Sequence, residues 1–417
     1  MKTNRATVFL GKQGSSKANI SRLVAACLLA GSCSVAVAAG SAAKTEHQQV
    51  VTVGADLQTA LPETVGVDSR TLTHLSEWIR AENMDVRSLL VIKDGKLIFE
   101  RYNSELTRDH NYELYSITKT FTALLAGILI SEGKLSLDDD ISTMIGKYRP
   151  DLANAVADKK DIKLRHLLSM SSGLHYDFNP EGDPIYYGSP DRLKLVSTAK
   201  PKVAPATEFE YTDVNPVYVA AMVSAAAGMP IEQYAEEKLF KPLGMKNYEW
   251  DRADEKGLVS AGWGLRLRPV DMAKMGLLIK DGGQWQGKQV VPQQWIEQMS
   301  TPVAARDFGN YLWLNHIVDT EKSMDMMGFK GQFVSVLPER NTVVVMTSMT
   351  GIDGGLRHGK NVRIFRNVVN DYVIPATNAD VVPSKAAQQA LQRELMISSY
   401  TTGVPGVFVD PTDTPRK

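Results

Sequence analysis

The chain has 417 residues, of which 43% are hydrophobic and 7% aromatic, and its 47 basic and 47 acidic side chains give a formal net charge of zero. This composition supports a large folded core, and the sequence has no basic tract that would favour a nucleic-acid or anionic-membrane partner. The length predicts either two lobes or one large domain with an inserted subdomain.

Residues 1–39 have the pattern of a secretory signal peptide. Several basic residues and no acid precede a weakly apolar run from Leu23 to Ala39, which ends in small residues. A transmembrane anchor fits less well, because the run is rich in Ala, Gly and Ser and barely reaches spanning length. The sequence therefore predicts cleavage close to Ala39, a periplasmic or secreted protein, and no stable membrane insertion after cleavage.

Both cysteines, Cys27 and Cys33, lie inside this segment, so the mature chain would contain no disulfide. The residues before Cys27 resemble a lipoprotein box. Very few apolar residues precede that box, so a lipid anchor at Cys27 is the less favoured alternative.

Helix and strand patterns follow. Residues 40–69 are expected to form a poorly ordered leader, and the apolar spacing of residues 70–84 predicts an amphipathic helix. Two β-rich runs, at 88–93 and 96–101, surround Asp94 and Gly95 and predict a hairpin.

The rest of the chain completes a predicted α/β (α+β) domain over residues 70–375. Residues 118–248 read mostly as helix and loop, and they are followed by a second hairpin at 333–347 and a final helix at 361–373. Strands at both ends with helices between them predict one antiparallel sheet flanked by helices, with a mostly helical inserted subdomain. The C-terminal extension, 376–417, is expected to contain a short helix at 386–396 and a mobile tail.

A Ser-x-x-Lys spacing places a hydroxyl and an amine on one helical face, which can activate serine as a nucleophile. Four pairs match this spacing: Ser41/Lys44, Ser116/Lys119, Ser131/Lys134 and Ser197/Lys200. Only Ser116 opens an apolar run typical of a core helix, where burial is expected to lower the pKa of Lys119 toward that of a useful base. A helix-capping serine beside a surface lysine remains the alternative interpretation of this segment.

The order of elements, together with Ser116 and Lys119, resembles the serine β-lactamase and penicillin-binding-protein superfamily. The similarity is strongest to its class C-like branch, which includes esterases and 6-aminohexanoate-dimer hydrolases. Over residues 65–375, four further blocks resemble that branch and occur in its order: 161–174, 209–215, 262–273 and 328–332. The resemblance implies a β-lactamase/transpeptidase-like fold.

The resemblance also implies site residues. Ser116 would be the nucleophile, Lys119 the base, and Tyr211 the group that relays a proton to the leaving group. The backbone N–H groups of Ser116 and Gln332 would form an oxyanion hole. The residues expected to contact substrate are Asp213, Asn215, Trp263, Phe329, Lys330 and Gly331.

Two positions depart from the family pattern. Asp213 stands where asparagine is usual, so it could hold Lys119 charged, favour an amine-bearing substrate, or serve only as a turn residue. Phe329 occupies the place of the Lys or His that binds a substrate carboxylate. Lys330 is one position along and is expected to point the other way by strand alternation.

Weaker candidates complete the set. His166 lies on an apolar helical stretch and is interpreted as a hydrogen-bonded structural histidine. Tyr186, Tyr187, Trp263 and Trp313 could line a pocket, although such residues are common in cores.

The expected function is a serine hydrolase that cleaves an ester or amide bond through an acyl-enzyme. Its substrate would be a small ester, amide or peptide-like molecule, and no metal or organic cofactor would be required. Two alternatives remain open: a D-alanyl-D-alanine carboxypeptidase or β-lactamase, and a non-catalytic binding protein on the same fold.

Overall fold

The computed structural model of the protein describes residues 56–103, 106–178, 182–186, 188–251, 253–349 and 355–401. The predicted signal peptide with both cysteines, residues 40–55 of the predicted leader and the predicted C-terminal tail lie outside these residues.

The described helices and strands follow the predicted succession of patterns. The helices are α1 Ser69–Ala81, α2 Ile117–Ser131, α3 Ile141–Tyr148, α4 Ala153–Val156, α5 Leu164–Leu168, α6 Arg192–Ser197, α7 Val214–Ala227, α8 Ile231–Ala235, α9 Pro269–Lys280, α10 Gln293–Met299, α11 Gly355–Asn367, α12 Ile374–Asn378 and α13 Lys385–Thr401. The strands are β1 Ser88–Lys93, β2 Lys96–Tyr102, β3 Tyr112–Glu113, β4 Leu174–His175, β5 Lys200–Pro201, β6 Glu249–Trp250, β7 Leu265–Leu267, β8 Gln284–Trp285, β9 Lys288–Gln289, β10 Trp313–Leu314, β11 Met324–Gly328, β12 Gln332–Leu337 and β13 Thr342–Thr347.

The main sheet is antiparallel and is closed by segments from both ends of the chain, as predicted. Its strand order is β10-β11-β12-β13-β1-β2, and β1 pairs with β13 through partners such as Val91 and Val344. Leu90 and Ile92 contribute to one core, while Leu89 and Val91 contribute to a second core on the opposite face. Because both faces are covered, β1 is a continuous apolar run rather than an alternating one.

Both predicted hairpins are confirmed. Asp94 and Gly95 have φ values of 52° and 73°, the left-handed conformation that a tight two-residue turn requires at both positions. The second hairpin joins β12 to β13 through a 3₁₀ turn, Pro338–Arg340, and Asn341 in the left-handed region with φ 49°.

The predicted helices are present with shifted ends. The helix predicted at 70–84 is α1, which is capped by Asp68 through a 3.0 Å bond from Thr71 N–H and ends at Ala81. The helix predicted at 361–373 begins earlier, at Gly355, and continues through a π-helical turn, Val368–Val373. The patch predicted at 386–396 lies inside α13.

The last part of the predicted leader, residues 56–69, is packed onto the domain, so poor order was the wrong expectation for it. Backbone hydrogen bonds join Ala60 N–H to Leu97 O at 3.1 Å and Leu97 N–H to Gln58 O at 2.8 Å, which pairs this segment with β2, at the edge of the sheet. The Asp56 carboxylate lies 3.1 Å from the buried Arg268 guanidinium. Pairing at an otherwise exposed strand and a buried ion pair hold this segment in place.

In the sequence between the first strands of the main sheet, β1 and β2, and its remaining strands, β10 to β13, the chain forms the predicted helical subdomain. Its central helix, α7, contacts α2, α3, α5, α6 and α8. The side chains of α7 are buried on all faces from Val214 to Ser224, as expected for a helix with no polar face. The subdomain thereby packs directly against α2, which carries Ser116 at its start.

Among the described residues, no single helix combines the length and apolar composition of a membrane span. The helices Val214–Ala227 and Ile231–Phe240 reach that combination only when they are taken together, across a bend of 72°.

Candidate active site

Ser116 lies at the N-terminus of α2, on a turn where its side chain is half-buried. The preceding residue, Tyr115, has φ 47°, which is unusual for a tyrosine and redirects the chain between β3 and α2. The Ser116 side chain makes no capping hydrogen bond to the helix. Instead, its Oγ accepts a 3.1 Å hydrogen bond from Lys119 Nζ, so the predicted pairing of these two residues is present.

Lys119 is fully buried and is held by two oxygen atoms besides Ser116 Oγ. Its Nζ lies 2.5 Å from Asp213 Oδ1 and donates to Gly262 O at 2.9 Å. Burial by itself lowers the pKa of Lys119, but the Asp213 carboxylate and the nearby Tyr211 more than offset it, and the pKa is raised above its usual value. The direction is opposite to the expected lowered pKa, because the Asp213 carboxylate favours the ammonium form of Lys119.

Asp213 is positioned by aromatic residues. Its second carboxylate oxygen accepts a hydrogen bond from the Tyr186 hydroxyl, and the Tyr186 ring lies 4.7 Å from that of Trp263. Burial and the Asp213 charge raise the pKa of Tyr186, so this phenol stays a donor. Of the three roles considered for Asp213, the geometry fits the one that holds Lys119 charged, and Trp263 supports it through Tyr186.

Gly262 is required by this arrangement. A Cβ at this position would lie 2.6 Å from Asp213 Oδ1 and 3.4 Å from Lys119 Nζ. The block at 262–273 thus contributes the carbonyl oxygen of Gly262 to the site. Only glycine allows the backbone at this position to lie so close to Asp213 and Lys119.

Asn215 is placed in the interior rather than in the cleft, which corrects its predicted role in substrate binding. It is completely buried on α7, its Oδ1 accepts a 2.7 Å bond from Ser172 Oγ, and its Nδ2 lies 3.2 Å from Met170 Sδ. Asn215 therefore ties the block at 161–174 to the block at 209–215.

Tyr211 faces the same cleft as Ser116 and Lys119. The Lys119 ammonium lies 5.0 Å from the centroid of the Tyr211 ring, and that ring stacks on Trp313 at 5.6 Å. The cleft is lined by Ser116, Lys119, Thr120, Tyr211, Phe308, Tyr311, Trp313 and Met327. Aromatic residues, Tyr211, Phe308, Tyr311 and Trp313, make up half of this lining.

The block at 328–332 is a turn, not a strand, over its middle residues. Lys330 has φ 60° and ψ 12°, so the alternation expected of a strand does not apply there. Phe329 packs edge-on against the Tyr115 ring at 5.7 Å, and the Lys330 ammonium also lies 5.7 Å from that ring. The expectation that Lys330 points the other way is therefore wrong, because both side chains reach the residue that precedes Ser116.

Glu113 adds a titratable group to this side of the site. Burial and, to a smaller extent, the neighbouring Asp251 carboxylate raise the pKa of Glu113 to about 7, while Arg266 and Lys330 oppose the shift. The positive charge of Lys330 thus acts on the carboxyl group of Glu113, which lies close to Ser116 in the sequence.

Gln332 begins β12 directly after this turn. Its side chain donates to Ser348 O at 2.6 Å and does not line the cleft, which leaves only its backbone N–H for the predicted oxyanion role. Its strand partner, Gly328, has no room for a Cβ, because that atom would lie 2.2 Å from Leu114 O. The close approach brings this end of the sheet against the segment that leads to Ser116.

Gly331 is also explained by packing. It has φ 94°, and a Cβ there would lie 2.7 Å from Ser348 Cβ and 2.8 Å from Asn361 Nδ2. Its predicted contact with substrate remains a prediction, whereas its structural need for glycine is evident.

The remaining candidate residues from the sequence differ in whether they lie at the site. His166 accepts a 3.1 Å bond from Lys163 N–H at the start of α5, as expected for a structural histidine. Of the aromatic candidates, Trp313 lines the cleft and Tyr186 contacts Asp213, whereas Tyr187 lies outside the described residues. Phe308 and Tyr311 were missed, because they lie far from the motifs in the chain and nothing in the local sequence marks them.

Comparisons with known proteins identify the family of this chain. Residues 81–365 match the model of the Beta-lactamase family. A curated Salmonella agona protein with the provisional name D-alanyl-D-alanine carboxypeptidase is 28% identical over 221 residues, which cover 46% of this chain and 50% of that protein. The chain thus spans about half the length of the curated relatives it matches.

Solved structures share the fold. A Bacillus anthracis protein, provisionally named 6-aminohexanoate-dimer hydrolase, has a TM-score of 0.59 at 20% identity and covers 76% of this chain and 88% of its own. The octameric penicillin-binding-protein homologue of Pyrococcus abyssi has a TM-score of 0.54 at 21% identity, with 72% and 77% covered. Because the family match extends over well more than half of the chain, the protein belongs to the Beta-lactamase family.

Proposed function

We propose that the protein is a secreted hydrolase that cleaves an ester or amide bond through an acyl-enzyme on Ser116. The observation that carries this proposal is the position of the buried Lys119 amino group, whose Nζ lies 3.1 Å from Ser116 Oγ and 2.5 Å from the Asp213 carboxylate. A serine hydroxyl becomes an effective nucleophile only when a nearby group takes its proton, and these three side chains form a continuous path for that proton.

The ammonium form of Lys119 cannot itself accept the proton. In the proposed cycle, Lys119 passes one proton to Asp213 while it takes the proton of Ser116, so the amine ends charged and the carboxylate ends neutral. The Ser116 oxygen then forms a bond to the carbonyl carbon of the substrate. This relay replaces the earlier expectation that a neutral Lys119 starts the reaction.

The remaining steps are assigned to Tyr211 and to the backbone N–H groups of Ser116 and Gln332. The N–H groups of Ser116 and Gln332 stabilise the developing oxyanion. When the bond to the leaving group breaks, Tyr211 gives it a proton and recovers one from Asp213 through Lys119. Water then attacks the acyl carbonyl, and its proton passes through Tyr211 and Lys119 to Asp213. The bond to the Ser116 oxygen breaks, and that oxygen takes a proton back from Asp213 through Lys119.

A covalent label tests this proposal. A fluorophosphonate probe should modify the protein once, and mass mapping should place the adduct on the peptide that contains Ser116. The reason is that the probe reacts with an activated serine rather than with an ordinary hydroxyl. No adduct with fluorophosphonate or β-lactam probes would favour the non-catalytic alternative, and an adduct on another serine would refute the assignment of the nucleophile.

Secretion is a separate part of the proposal, which rests on the signal-like pattern of residues 1–39. The mature N-terminus should lie close to Ala39 in protein recovered from the periplasm or the medium. An intact Met1 chain in the cytoplasm would contradict it.

The substrate preference is expected to follow from Phe329 and the aromatic cleft. A charged hydrogen bond to a substrate carboxylate contributes about 2–3 kcal/mol, so its absence should lower the preference for carboxylate substrates by about 30–150-fold. The wild type should therefore hydrolyse p-nitrophenyl butyrate at least as well as a chromogenic cephalosporin. Phe329→Lys should shift the ratio of their kcat/KM values toward the cephalosporin.

Lys330 provides the control for this experiment, because its ammonium lies 5.7 Å from the Tyr115 ring, next to Phe329. Lys330→Met should leave the ratio unchanged. If the wild type prefers the cephalosporin and Lys330→Met abolishes that preference, Lys330 binds the carboxylate, and the carboxypeptidase or β-lactamase alternative is favoured.

A further inference from the structure

Tyr311 is a buried residue that lines the same cleft as Ser116 and Lys119. Its side chain is 3% exposed, and its backbone has φ 58°, a conformation that costs free energy for a tyrosine. Its carbonyl oxygen accepts a 2.8 Å hydrogen bond from Thr120 Oγ1, one residue beyond Lys119 on α2. The residue is thus fastened to the helix that carries the nucleophile, and its ring lines the cleft.

The hydroxyl group of Tyr311 has no hydrogen-bond partner within the part of the chain that the structure describes. Burying a hydroxyl without a partner is unfavourable, and most buried polar side chains are satisfied. A phenylalanine would fill the same space without that cost. The unsatisfied donor therefore requires an explanation outside the packing of the protein itself.

The protonation state of this group indicates what it can do. Burial raises the pKa of Tyr311 well above its usual value, and the neighbouring Tyr211 and Asp213 add to the effect. The phenol is accordingly protonated at neutral pH, where it can donate a hydrogen bond.

We propose that the Tyr311 hydroxyl donates a hydrogen bond to an oxygen atom of the bound substrate, next to the bond that is cleaved. The inference rests on the proposed function, since it assumes an ester or amide in this cleft. It narrows the substrate class to acyl compounds with an apolar acyl or leaving group, which packs against Phe308 and Trp313, and a polar oxygen close to the scissile bond. Such an oxygen would satisfy the one buried donor that the cleft leaves unpaired among the described side chains that line it.

A second buried tyrosine shows the arrangement expected for a purely structural role. Tyr218 on α7 is completely buried, and its hydroxyl donates to Val196 O at 3.2 Å, inside the helical subdomain. It does not line the cleft, and it therefore provides a matched control for the loss of a buried phenolic hydroxyl.

The test compares Tyr311→Phe with Tyr218→Phe in the full mature protein. Tyr311→Phe should lower kcat/KM for p-nitrophenyl butyrate by about 10- to 100-fold, the effect of losing one well-placed hydrogen bond to the reacting group, while its Tm stays equal or rises. Tyr218→Phe should lower Tm and leave kcat/KM unchanged. Both variants should still be labelled by the fluorophosphonate at Ser116.

The outcomes separate this inference from the proposed function. If Tyr311→Phe is labelled at Ser116 and retains kcat/KM within about twofold, the inference is overturned and the proposed function stands. If its Tm and kcat/KM fall together, Tyr311 has a structural role, which also overturns the inference. If wild-type Ser116 is not labelled at all, the proposed function fails and the inference fails with it.

Discussion

Replacing Ser116 with alanine should abolish turnover while leaving the fold intact. Loss of the nucleophile in serine hydrolases lowers kcat by about 10⁴- to 10⁶-fold, because the remaining groups cannot form the acyl-enzyme. The fold should tolerate the change, since the Ser116 side chain makes no capping hydrogen bond to α2. Hydrolysis of p-nitrophenyl esters and a thermal melt of the same preparation measure the two effects.

The chain offers a matched control at the other end of α2. Ser131 and Lys134 have the same spacing, but Ser131 Oγ donates to Ile128 O and Lys134 pairs with Glu132. Ser131→Ala should therefore leave turnover unchanged. Unchanged ester hydrolysis in Ser116→Ala would end the proposal for this site.

Lys119→Met should lower kcat/KM by about 10³-fold or more, because it removes the only described side chain that hydrogen-bonds to Ser116 Oγ. The single variant leaves Asp213 partly buried without its cation, which destabilises the fold by up to about 3–5 kcal/mol. The double variant Lys119→Met with Asp213→Asn removes both charges and should recover much of that stability. It should stay inactive, and recovered activity in the folded double variant would show that Lys119 has no catalytic role.

The companion variant Asp213→Asn keeps the amine but removes its counter-charge, so the pKa of Lys119 should fall. In the proposed relay, the wild-type ion pair is already the reactive form. With asparagine, which cannot take a proton, Lys119 must first become neutral, and each pH unit below its new pKa lowers the reactive fraction by about tenfold. The acid limb of kcat/KM should therefore move to higher pH in the variant.

The opposite shift would exclude the relay. If the wild-type enzyme requires a neutral Lys119, its raised pKa places the acid limb at high pH, and Asp213→Asn would move that limb down. The direction of the shift in a pH–rate profile thus distinguishes the two mechanisms without requiring the natural substrate.

Local patterns were sufficient for much of the fold. The Asp94-Gly95 turn was predictable, because few residue pairs adopt two positive φ values, and the flanking runs have the composition of strands. The Ser116–Lys119 pairing was predictable as well, since residues three apart on a helix share a face. A single sheet closed by segments from both ends of the chain was also predictable, because strands at both ends must be buried together, whereas the direct pairing of β1 with β13 was seen only in the structure.

Other features were decided only by tertiary structure, because they depend on residues that are distant in the chain. The sequence by itself identified Ser116 and Lys119, but the protonation state of Lys119 depends on Asp213, which the fold places 2.5 Å away. The direction of Lys330 depends on a turn that interrupts the strand pattern, and the burial of Asn215 depends on its contact with Ser172. The cleft position of Tyr311 results from packing between α2 and the approach to β10, and residue pattern carries no information about such a contact.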